Sequence, residues 1–73
     1  MKDQVTIVET PLKRWIIQLK KDETLAWSGS RWSKHVDGVG VTFQICNFAN
    51  IVEAAQFALN QGFKVVDIEQ SFL

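Results

Sequence analysis

The sequence predicts an α+β domain: a mostly antiparallel sheet of four to five strands with one helix packed on one face, in the order β-β-β-β-α-β. Two observations carry this. Apolar residues recur with a period of two through Phe48 and again after Gly62, whereas between them, over residues 51–61, the period is 3.6. The chain has 73 residues, 47% of them hydrophobic, including three Trp and five Phe. A chain of this length buries only roughly 60–65% of its unfolded surface, so residues 1–73 form one domain with one dense core.

The elements follow in order. QVTIVET (residues 4–10) alternates and is rich in β-branched side chains, which marks a strand. Pro11 lacks a backbone donor and biases Thr10 to an extended shape, so it ends that strand. RWIIQLKK, the charged turn Lys21-Asp22-Glu23 and TLAWSGSRW read as a hairpin. Trp15, Ile17 and Leu19 share one face, matched by Leu25 and Trp27. In VGVTFQICNF, residues Val39, Val41, Phe43 and Ile45 point one way and Gly40, Thr42, Gln44 and Cys46 the other. This predicts a core face and an open, semi-polar face. Asn50 is the expected helix N-cap, with Glu53 at capping-box spacing. Ile51, Ala55, Ala58 and Leu59 form the helix stripe, with Ala54 beside it. Gly62 is the expected C′ residue, and Phe63 closes a Schellman-type contact. FKVVDIEQ is the last strand.

Eight basic and eight acidic residues cancel, which argues against bulk electrostatic binding to nucleic acid and equally against mimicry of DNA. Cys46 is the only cysteine, so no intramolecular disulfide forms and a reducing compartment is expected. The opening MKDQVTIVET has no basic-then-apolar signal pattern. No apolar run reaches the roughly 18–20 residues of a membrane span. A cytoplasmic location is the expectation.

The residues that carry chemistry are few. His35, the sole histidine, sits in a polar loop and reads as solvated. Cys46 has no base placed beside it and reads as a small packing residue. One His and one Cys without ligand spacing make no zinc site. Gly38-Val39-Gly40 lacks the third glycine and the helix of a dinucleotide loop. Asp67 and Glu69 alternate on a strand, as a solvated face requires. The expectation is therefore a non-catalytic, monomeric protein without metal or cofactor.

WSGSRWSKH (residues 27–35) is the exception. Trp27 continues the core face of its strand. If the strand runs on, Trp32 falls on the opposite face, flanked by Arg31, Lys34 and His35. Tryptophan and arginine dominate binding interfaces, and basic residues beside rings also suit nucleic acid. Lys13 and Arg14 lie across the hairpin and widen the basic region. The expected partner-binding set is Lys13, Arg14, Arg31, Trp32, Lys34 and His35.

Two resemblances bear on function. The spacing Phe48-x5-Ala54-x2-Phe57-Ala58-x3-Gly62-Phe63, between Trp27-Ser28-Gly29 and Asp67-Ile68-Glu69, is similar to the eighteen-kilodalton accessory subunit family of respiratory complex I. It implies a sheet with one packed helix and a non-catalytic structural role. Over the whole chain, MKDQVTIVETPLKRWIIQL and WSGSRWSKH resemble the small RNA polymerase-binding transcription regulators of Xanthomonas bacteriophage. That resemblance implies a protein of the host bacterial cytoplasm that binds host RNA polymerase. It would inhibit initiation by sigma factor displacement and promote antitermination. The implied contacts are the N-terminal region of the largest subunit and the flap near the RNA exit channel, where nascent RNA is also within reach.

Overall fold

The elements run β1 (Gln4–Glu9), β2 (Trp15–Leu19), β3 (Leu25–Trp27), β4 (Trp32–Lys34), β5 (Asn47–Phe48), α1 (Ile51–Asn60) and β6 (Lys64–Glu69). They come from a computed structural model that describes residues 3–34 and 45–70. His35, Gly38-Val39-Gly40 and most of the strand expected over residues 39–48 lie outside the described residues. The α+β architecture is as the sequence predicts. Among the described residues the sheet has six strands rather than four to five, because Trp32–Lys34 turns back to pair with β3.

The sheet order is β4-β3-β2-β1-β6, with β5 also paired to β2. All pairings are antiparallel except that of β1 with β6. β2 divides its outer edge: Gln18 faces Ala26 of β3, while Trp15 and Ile16 face Phe48 and Asn47 of β5. The chain from β5 through α1 to β6 crosses over β2 and β1, and the parallel β1–β6 pairing requires a crossover of this kind.

Residue parity sorts the core into two layers. Directly opposed residues share a face, so Val5, Ile7, Trp15 and Ile17 point to the helix. There they bury against Ala54, Ala58 and Phe63, with Trp27, Trp32, Phe48, Ile51, Phe57 and Val65 packed around them. The opposite face is not open as expected, because Ile16, Ala26 and Ile45 form a second buried cluster with Val8. Ile45 belongs there because Asn47, two residues on, is paired with Ile16. The expected core residue Ile45 is buried, but in the other layer; Val39, Val41 and Phe43 lie outside the described residues.

The helix ends as its sequence dictates. The Asn50 side chain accepts the Glu53 N–H at 2.9 Å. At the other end Phe63 N–H donates to the Ala58 carbonyl and Gly62 N–H to the Leu59 carbonyl, both at 3.0 Å. These are the two bonds of a Schellman motif, with Gly62 at φ +85°. The stripe is turned from the expected one: Ala54 and Ala58 are buried, Ile51 and Phe57 pack beside them, and Leu59 is exposed. Two methyl side chains let the helix lie close to the sheet, and the larger residues flank that contact. Asn50→Ala should lower stability by about 0.5–2 kcal/mol. Gly62→Ala should cost about 1–2 kcal/mol, a backbone effect, because nothing lies within 4 Å of the added methyl. Urea titrations of both variants check this, and unchanged midpoints would contradict the capping assignments.

β6 lies at one edge of the sheet, where open backbone groups invite pairing with other chains. A register shift between Val5 and Thr6 places a bulge in the β1–β6 ladder. Asp67 Oδ1 accepts the Ile68 N–H at 2.8 Å. Both features blunt the edge. The Lys20 ammonium reaches the Asp67 carboxylate at 3.7 Å.

Candidate interaction surface

Two short connections carry three of the six predicted binding residues, Lys13, Arg14 and Arg31. The β1–β2 connection spans Thr10–Arg14. Lys13 N–H donates to the Thr10 carbonyl at 2.9 Å, and Thr10 N–H to the Arg14 carbonyl at 2.7 Å. Pro11 takes the second turn position, for which its fixed φ suits it. Lys13 closes the loop with φ +64°, the left-handed position that glycine favours in three-residue hairpin loops.

The β3–β4 connection is Ser28-Gly29-Ser30-Arg31. Ser28 N–H donates to the Arg31 carbonyl at 2.9 Å, and the Ser28 hydroxyl both donates to that carbonyl and accepts the Arg31 N–H. Gly29 sits at φ +109°. The turn sets Trp27 directly opposite Trp32, next to the hydrogen-bonded Ser28–Arg31 pair. In an antiparallel ladder that neighbouring position brings side chains closest.

This corrects the expected placement of Trp32. It does not lie on the face opposite Trp27, because the strand does not run on; the chain reverses at Gly29 and cross-strand pairing puts both indoles on the helix side. Their centroids are 5.2 Å apart at 67°, and Phe63 lies 5.1 Å from Trp27 and 5.3 Å from Trp32. Both tryptophans are half-buried against the main core. The Trp27 indole N–H is buried without a hydrogen-bond partner among the described residues.

The turn also scatters the other predicted residues. Arg31 precedes Trp32 and so belongs to the opposite face, where it lines a shallow polar depression with Ser28, Ser30 and Ser33. Lys34 pairs with Leu25 at the far end of the hairpin. There its charge acts on Asp22, whose carboxyl is held below its usual range first by the Thr24 hydroxyl and backbone N–H, then by Lys34. His35 lies outside the described residues.

Arg31 lies instead at the same end of the sheet as Lys13 and Arg14. Because β2 and β3 are antiparallel, the β3–β4 connection returns to the end of the sheet where β1 meets β2. The entry to β5 ties these two parts together. Cys46 N–H donates to the Trp27 carbonyl at 3.0 Å, and Arg14 Nε donates to Asn47 Oδ1 at 2.8 Å. Asn47 is held in turn by its own amide donating to the Ile45 carbonyl at 3.2 Å. The sequence reading missed Asn47, which no local pattern distinguishes. It also missed the tight turn, whose signal is Ser-Gly-Ser between two tryptophans.

Burial pushes the Cys46 thiol upward from its ordinary value, which keeps it protonated at neutral pH and weakens it as a nucleophile. Among the described residues no three His, Cys, Asp or Glu side chains gather as metal ligands. Among them, too, no helix is long and apolar enough to cross a membrane.

The fold and this loop end define a small α+β domain with cations displayed from two hairpin turns. No protein-family model matches the chain, and comparisons with curated proteins and with solved structures found no match.

Proposed function

We propose that this protein is a non-catalytic, phage-type regulator of transcription. It binds host bacterial RNA polymerase, inhibits initiation by sigma factor displacement and promotes antitermination. The whole-chain resemblance motivates this reading, and one structural observation supports it. Lys13, Arg14 and Arg31 reach one end of the sheet from two separate connections, on a chain with no net charge. Such an end can orient a protein on its partner without drawing it indiscriminately to polyanions. Trp32 adds the exposed part of its ring at the edge strand, and Lys34 serves a different end of the hairpin.

The test is transcription reconstituted with purified bacterial polymerase holoenzyme. Adding the protein should release sigma factor, reduce promoter-dependent initiation and increase readthrough of an intrinsic terminator. Failure to bind the polymerase would remove the proposal.

A further inference from the structure

Lys13 stands out for its backbone conformation. Among the described residues it is the one non-glycine with positive φ, at +64°. The loop would form more easily with glycine there, and a strained residue retained on a surface is a signature of function. Its side chain is exposed. Among the described residues the ion pair found is Lys20–Asp67, which does not involve Lys13.

Its neighbour is held differently. Arg14 is half-buried, and its Nε–H is fixed on Asn47 at 2.8 Å. That bond leaves the two terminal amino groups without a partner among the described residues. A guanidinium anchored through Nε presents those two groups as a fork suited to a carboxylate.

We propose that Lys13 and Arg14, with Arg31, form a recognition site for a carboxylate-bearing segment of a protein partner. The proposal rests on the reading above and gives it a chemistry. Charge at this end favours carboxylates over a nucleic-acid backbone. Glu69 is exposed and in register with Val8, so an acid lies at the same end as the cations. A continuous run of phosphates would meet it, whereas a protein segment can place isolated carboxylates opposite the cations alone.

The experiment compares the full chain with Lys13→Gly, Lys13→Asn, Arg14→Gln and the control Lys21→Gln, from the exposed β2–β3 turn. The probes are core RNA polymerase, a polyglutamate peptide and a single-stranded RNA oligomer. Lys13→Gly and Lys13→Asn should melt at or above the wild-type midpoint, since both residues accept positive φ. They and Arg14→Gln should bind polymerase and polyglutamate about three- to tenfold more weakly at about 50 mM salt. The difference should narrow at about 0.5 M salt, and the control should bind like wild type. If wild type binds polymerase and the Lys13 and Arg14 variants bind it equally well, the inference is overturned while the functional reading stands. If wild type ignores polymerase but its polyglutamate binding is lost in these variants, the functional reading falls and the site stands. Tighter binding of RNA than of polyglutamate, lost in the same variants, would overturn the choice of carboxylate.

Discussion

Trp27→Ala should destabilise the fold by about 3 kcal/mol or somewhat more, at the lower end of the range for removing a large core aromatic. The lower end applies for two reasons. Trp27 is half-buried rather than fully enclosed, and its indole N–H is buried with no partner among the described residues, a burden the truncation relieves. Against these stands the loss of edge contacts to two rings about 5 Å away, each worth about 0.5–1.5 kcal/mol beyond area burial. A domain of this length has roughly 4–11 kcal/mol in total, so the variant should give up a large share of the fold's stability.

Trp32→Ala belongs in the same experiment. Because Trp32 touches both Trp27 and Phe63, its removal should lower stability measurably instead of acting on a partner surface alone. The double variant should then lose less than the sum of the two, by about 0.5–1.5 kcal/mol. Trp27→Phe separates ring from donor: it keeps most of the packing, drops the unpaired N–H and should cost far less than Trp27→Ala. Additive losses in urea melts would mean the two indoles do not interact in solution.

What could be read from the sequence divides along the range of the interaction involved. The helix caps were legible because they depend on a few consecutive residues: Asn50 and Glu53 at one end, Gly62 and Phe63 at the other. Strand positions were legible from alternation, which local backbone geometry imposes. The layer occupied by an alternating stretch was not. Ile45 reads the same way whether it faces the helix or the opposite cluster, and only the pairing of Ile16 with Asn47 decides. Trp32 was misplaced by a single assumption, that the strand continued through Ser28-Gly29-Ser30. One reversal there moved its ring from an outer face to the core side and separated Arg31 from Lys34. The strain at Lys13 depends on how the loop closes, which composition does not reveal.

The same distinction between local pattern and tertiary placement yields a second large effect. Ile17, Ile7 and Ile68 form one row across β2, β1 and β6, since Ile7 is in register with both of its neighbours. Chemically they are identical, yet Ile7 and Ile17 are fully buried whereas Ile68 is 50% exposed at the sheet edge. Ile7→Ala should cost about 3–5 kcal/mol, the upper part of the range for such truncations. β1 is paired on both sides and lies under Ala54 and Ala58, so the surroundings can collapse only partly into the space left behind. Ile7→Val, which removes one methylene, should cost about 0.5–1.5 kcal/mol. Ile68→Ala should cost less than about 1 kcal/mol, because water already reaches half of that side chain. Equilibrium unfolding of the three variants in urea at several protein concentrations provides the measurement. Equal losses for Ile7→Ala and Ile68→Ala, growing with protein concentration, would show that the β6 edge is covered by a second copy in solution; a small loss at Ile7 would contradict its place at the centre of the sheet.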